Sequence, residues 1–119
     1  MISVVDDDPS VRRSLKRLLR SLKYDVEVFA SAQEFLDFSF PEPVDCLILD
    51  VHIGGMNGFE LHQKLLDEGR TLPVIFITAH DDEPTRECVR KSGAIAYVRK
   101  PFDEQTLIDA IDKTRPHKS

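Results

Sequence analysis

A chain of 119 residues with 41% apolar content is long enough for one domain, burying roughly two thirds of the surface that its unfolded form exposes. The net charge of −5, with 21 acidic and 16 basic residues and no Lys/Arg run longer than two, argues against direct nucleic-acid binding by this chain. With no basic leader ahead of an apolar run, and no apolar stretch near the roughly 20 residues of a membrane span, a cytoplasmic location and no membrane contact are expected.

The first apolar run, "ISVV" at 2–5, reads as a strand and leads into three aspartates, Asp6, Asp7 and Asp8. Asp8 before Pro9 suits an N-cap and first helical position, opening a helix with Val11, Leu15, Leu18, Leu19 and Leu22 on one face. Its Arg and Lys residues alternate with that stripe and read as a solvated face. "VEVF" at 26–29 is a second strand, and Ser31 with Glu34 has the spacing of a capping box.

"CLIL" at 46–49 is a third strand, ending in Asp50. Asn57 and Glu60 form a second capping pair before a helix that carries Phe59, Leu61, Leu65 and Leu66 and stops at Gly69. "VIFI" at 74–77 ends in Thr78, Pro84 opens a fourth helix that stops at Gly93, and "IAYV" at 95–98 runs through Arg99 to Lys100. Asp103 caps a last helix with Leu107, Ile108 and Ile111. The tail "KTRPHKS" carries no pattern of regular structure. Cys46 and Cys88 fall in apolar or helical segments and read as reduced, buried thiols; His62 and His117 read as solvated.

Five strand-then-helix units with short connections imply an α/β fold, a mostly parallel sheet with helices on both faces and right-handed crossovers. In such sheets ligands bind beyond the carboxyl ends of the strands. That edge gathers Asp6, Asp7, Asp50, Thr78 and Lys100. Three carboxylates crowded in a cleft raise one another's pKa unless a cation relieves the repulsion. Oxygen-only ligands in an open cleft favour Mg²⁺, or the similar Mn²⁺, over Zn²⁺. A metal site beside a hydroxyl and an ammonium suits phosphoryl transfer, with one carboxylate as nucleophile. Asp50 is the best placed, being central and followed by a loop.

The segments "VVDDD", "LILDVHIGGMNG", "FITAH" and "YVRKPF", in this order and on these strand ends, make the chain similar to a receiver domain of bacterial two-component response regulators. "TAHDD" and "GAIAYVRKPF" most resemble receivers joined to helix-turn-helix outputs of the nitrogen-fixation regulator type. The resemblance spans residues 1–115, leaving 116–119 as a tail or the start of a linker. It implies a flavodoxin-like, doubly wound fold with strand order 2-1-3-4-5. It further implies that Asp50 is the phosphoacceptor and that Asp6, Asp7, Asp50 and the backbone carbonyl of His52 hold Mg²⁺.

By the same resemblance, Thr78 and Lys100 bind the phosphoryl group, Tyr97 is an aromatic switch, His52 and His80 tune phosphoryl lifetime, and the bond to Pro101 is cis. The implied partners are a sensor histidine kinase, a second copy through the fourth helix, fifth strand and fifth helix, and DNA only through an output domain outside this chain. Ile53 and Gly54 stand where the family usually has Met-Pro, so with Gly55 a more mobile loop is expected. Two other classes fit less well. A flavodoxin-like electron carrier needs a phosphate cradle after the first strand, where "DDDPS" repels phosphate. An aspartyl-nucleophile phosphatase usually has a second aspartate two residues after the nucleophile, where this chain has His52. A receiver-like module that binds partners without phosphorylation is disfavoured because the acidic pocket, Thr and Lys positions are all filled. The chain is therefore expected to be a slow, self-modifying switch and not a turnover enzyme.

Overall fold

Apolar β-branched residues alternate sides along a strand, so a strand that is apolar throughout must be covered on both faces. The computed structural model describes residues 1–38, 43–79 and 81–114. The expectations on His80, His117 and the tail from residue 116 lie outside these residues. The chain order is β1 (Ile2–Val5), α1 (Pro9–Ser21), β2 (Val26–Phe29), α2 (Ala32–Asp37), β3 (Cys46–Asp50), α3 (Gly58–Asp67), β4 (Val74–Thr78), α4 (Glu83–Ser92), β5 (Ala96–Arg99) and α5 (Glu104–Asp112). The strands form one parallel sheet in the order β2-β1-β3-β4-β5.

Two hydrophobic layers sandwich that sheet. Ile2, Val4, Ile48, Ile75, Ile77 and Val98 face Leu15 and Leu19 of α1 and Leu107 and Ile111 of α5. Val5, Leu47, Leu49, Val74 and Phe76 face Ala32 and Phe35 of α2 and Leu61 and Leu65 of α3, with Val89 of α4 at the margin. Period-two alternation thus divides each central strand between the layers. Each large side chain so buried contributes about 1.5–3 kcal/mol relative to exposure. β3 and β4 are buried along their whole length, whereas β2 and β5 are partly open, as edge strands are.

Helix starts follow the capping residues closely. Asp8 accepts from the Ser10 amide, Asp103 from Thr106, and Asn57 with Glu60 forms the reciprocal box. The Ser31 and Glu34 pair is only half a box: Ser31 accepts from the Glu34 amide, but the Glu34 carboxylate reaches the amide of Ala30. α4 has a cap that the sequence reading missed, Asp82, which accepts from Thr85, so Pro84 falls one place inside the helix. Strands β3 and β4 each extend one residue further than the apolar runs suggest, to Asp50 and Thr78, and β5 is displaced by one, leaving Ile95 exposed.

Four side chains depart from their expected surroundings. Leu22 keeps the period of the α1 stripe but is the C-cap residue beyond the helix end, and is exposed; Leu66 lies at the margin of the α3 stripe and is also exposed. His62 is only 6% exposed, because it sits three residues from both Phe59 and Leu65 and meets the Phe76 ring edge-on at 5.7 Å. Burial pushes its imidazole pKa down. Cys88 is exposed, since α4 is polar and buries only Thr85. Cys46, in contrast, is buried in β3, and burial pushes its thiol up to about 12.

Only a thiolate is a competent nucleophile, so the native protein should show one fast thiol, Cys88, toward a disulfide reagent and a second only after denaturation. Cys88→Ser should abolish the fast phase. Two fast thiols in the native state would contradict burial of β3.

Candidate functional site

The parallel register brings the polar residues to one edge. Val5 pairs with Leu49 and Asp50 with Ile77, so Asp6, Asp50 and Thr78 leave three adjacent strands at nearly one level, while Thr78 pairs with Arg99 just before Lys100. Candidate ligand oxygens of Asp6, Asp7 and Asp50 all lie within 4.8 Å of one another. Asp6 is fully buried and Asp50 is 4% exposed, whereas Asp7 is open to solvent.

Lys100 closes the cluster. Its Nζ donates to Asp6 Oδ2 at 2.8 Å and to Asp50 Oδ2 at 2.9 Å. The remaining oxygens of these two carboxylates are oriented by backbone: Asp6 Oδ1 accepts from the Asp8 amide at 2.9 Å, and Asp50 Oδ1 from the His52 amide at 3.0 Å. Burial raises the Asp6 pKa, the Lys100 and Asp8 hydrogen bonds oppose that, and the charge of Asp50 adds to it, leaving a net upward shift. For Lys100 burial acts downward, but its hydrogen bonds to Asp6 and Asp50 and their charges outweigh burial, and its pKa rises. The Lys100 direction reflects an ammonium shared between two carboxylates, whereas that of Asp6 reflects burial prevailing over the same ammonium.

The backbone supports this edge from beneath. Lys100 N donates to the Thr78 carbonyl at 2.7 Å and Val51 N to the Ile77 carbonyl at 3.0 Å, and the Lys100–Pro101 peptide bond is cis. Thr78 is buried at the end of β4, and His52 is exposed in the loop after Asp50. In that loop Ile53 is buried in the α3-side core, while Gly55 adopts φ +83°. Tyr97, half-buried on β5, donates its hydroxyl to Asp81 Oδ1 at 3.3 Å.

Three residues that sequence reasoning passed over shape the site. Arg12, four residues after the Asp8 cap, donates from Nη1 to the Asp6 carbonyl at 2.8 Å, tying α1 to the end of β1. Gly58 opens α3 and donates its amide to the Val51 carbonyl at 2.9 Å. A Cβ there would lie 2.5 Å from the Asp50 carbonyl oxygen and 3.0 Å from Val51 Cα; only glycine admits that approach. Asp81, three residues beyond Thr78, gathers the Tyr97 hydroxyl and two guanidinium groups. The strand-end rule that selected Thr78 would have reached Asp81 had it been carried into the following loop.

A parallel five-stranded sheet with an acidic triad and a lysine at its carboxyl edge defines a CheY-like receiver architecture. Residues 2–112 match the family model of the response regulator receiver domain, and the chain belongs to that family. It is 40% identical over 111 residues to Nodulation protein W of Bradyrhizobium diazoefficiens, covering 93% of this chain and 49% of that protein. It is 38% identical to the transcriptional regulatory protein FixJ of Azorhizobium caulinodans, covering 92% and 52%. Among solved structures, the response regulator StyR superposes with a TM-score of 0.86 at 46% identity, covering 95% of this chain and 57% of that one. The chain thus spans about half the length of the curated relatives it matches.

Gly58→Ala should destabilise the fold by about 1–3 kcal/mol, the usual cost of overpacking, in a denaturant titration; an unchanged midpoint would show that the loop yields freely. Lys100 supplies the pH dependence. Its folded pKa lies above its ordinary value of 10.5, so its stabilising contribution is complete below 10.5 and disappears as pH rises through the folded pKa. The stability gap between wild type and Lys100→Met should therefore be constant near neutrality and shrink in strongly alkaline solution. A gap that widens there would reverse the assigned sign.

Proposed function

We propose that the chain is a phosphorylation-dependent signalling switch in which Asp50 accepts a phosphoryl group from a sensor histidine kinase. Residues 1–115 would constitute this receiver unit. The supporting observation is the Lys100 ammonium held between Asp6 and Asp50 at 2.8 and 2.9 Å. It orients the Asp50 carboxylate and stands ready for the charge that arrives on its oxygen.

The chemistry balances simply. An Asp50 carboxylate oxygen forms the new bond to phosphorus, the phosphorus–nitrogen bond of the kinase phosphohistidine breaks, and the released imidazole nitrogen takes a proton from solvent. Asp50 thereby exchanges its own charge for that of the phosphoryl oxygens, to which Lys100 can transfer its pairing, with the Thr78 hydroxyl as a further donor. Asp6, Asp7, Asp50 and the His52 carbonyl would hold Mg²⁺ or Mn²⁺; three carboxylate oxygens within 4.8 Å fit a hard divalent ion, which when bound would neutralise charge on the transferring group. His52 and His80 would modulate hydrolysis of the acyl phosphate.

Phosphorylation would shift a two-state equilibrium through Thr78 and Tyr97 and remodel the face formed by α4, β5 and α5. That face would serve dimerisation or contact with an output module. Relatives named as transcriptional regulators, about twice the length of this chain, support DNA binding through an output domain outside it.

Intact mass after incubation with acetyl phosphate and Mg²⁺ tests the nucleophile: wild type should gain one phosphoryl group and Asp50→Ala none. Rapid turnover of a phosphate ester would indicate the phosphatase instead, and no gain under any condition would overturn the phosphoacceptor assignment. A divalent ion in roughly tenfold excess over its Kd should stabilise wild type by about 1.4 kcal/mol, and Asp7→Asn should remove most of that gain. Melting indifferent to millimolar Mg²⁺ would exclude the metal site.

A further inference from the structure

One carboxylate between the phosphoryl edge and β5 has no part in the chemistry above. Asp81 lies in the β4–α4 loop, three residues after Thr78, with its side chain 21% exposed. Its Oδ1 accepts the Tyr97 hydroxyl at 3.3 Å, its Oδ2 accepts Arg99 Nη1 at 3.2 Å, and Arg86 Nη1 lies 3.8 Å from Oδ1. Tyr97 and Arg99 are two apart on β5 and so project from one face, and Arg86 comes from α4. A single carboxylate therefore joins the loop after Thr78 to the edge strand and to the neighbouring helix.

We propose that Asp81 is a positioning residue that holds Tyr97 in the resting conformation and so sets how much of the switched state is populated before phosphorylation. This rests on the reading of Thr78 and Tyr97 as moving parts of an Asp50-phosphorylated switch. Any turn of the tyrosine ring away from the loop must break the hydroxyl's bond to Asp81. Any displacement of the loop that carries Thr78 stretches the same bond, so the two motions share one barrier. Burial and the charge of Asp81 both raise the pKa of Tyr97, which keeps the phenol protonated and able to donate. Exposed ion pairs alone are worth little, but the two guanidiniums fix the carboxylate's orientation, so the tyrosine meets an acceptor already in place.

A merely bracing Asp81 would act through Arg86 and Arg99 and would be indifferent to the tyrosine hydroxyl. The test is the rate of phosphorylation by acetyl phosphate with Mg²⁺, followed by intact mass, in wild type, Asp81→Ala, which leaves the Tyr97 hydroxyl no side-chain acceptor at this position, Tyr97→Phe and the double variant. Losing one hydrogen bond of ordinary net strength should enlarge the switched population, and with it the rate, about fivefold. Because both single variants delete the same bond, each should show that acceleration and the double variant no more than either. Asp81→Leu replaces Asp81→Ala should the latter fail to fold.

Unaltered or slower phosphorylation in Asp81→Ala would overturn the proposal, as would an equal further acceleration when Asp81→Ala is added to Tyr97→Phe. Failure of the underlying reading is distinguishable, since wild type itself would then gain no phosphoryl group.

Discussion

Everything at the carboxyl edge of this sheet depends on one electrostatic compromise, the Lys100 ammonium shared between Asp6 and Asp50 beside a third carboxylate, Asp7. Burying two carboxylates near one another is costly, and a single cation only partly offsets it. The fold meets that cost with backbone donors, the Asp8 and His52 amides, aimed at the carboxylate oxygens that Lys100 does not reach. The result is an oriented Asp50 in a buried position, paired with Lys100.

The rest of the architecture holds these groups at one level. Parallel pairing sets Asp6, Asp50 and Thr78 at the ends of adjacent strands, and the two apolar layers fix the register, since a slip of one residue would turn every core side chain to the opposite layer. Arg12 clamps the end of β1, and Gly58 lets α3 begin against the carbonyl of Asp50. On the far side of the edge, Asp81 ties the loop after Thr78 to Tyr97 and Arg99. Thr78 and Asp81 are thus three residues apart at the end of β4, as are Tyr97 and Lys100 at the end of β5.

Much of this was legible in the amino-acid order. The five apolar runs, the caps at Asp8, Asn57 and Asp103, and the strand-end residues Asp6, Asp7, Asp50, Thr78 and Lys100 were all readable, because alternation, capping and strand-end chemistry are local or follow from topology alone. What escaped was set by packing. His62 was read as solvated, yet it lies on the buried stripe of α3 against Phe76; Cys88 was read as buried from its helical segment, yet α4 offers it no core to enter. Gly58 and Arg12 gain their meaning only from the distance between α3, α1 and the ends of β3 and β1.

By itself, then, the sequence determined the class of fold, the elements and the residue types that meet at one edge, because period and strand-end position are one-dimensional properties. Tertiary structure alone decided which carboxylate oxygens Lys100 engages, that Asp6 is buried while Asp7 remains open, and that Asp81 captures the Tyr97 hydroxyl. Those are distances between residues far apart in the chain, or across a loop whose course only the packed helices define. No local pattern encodes them.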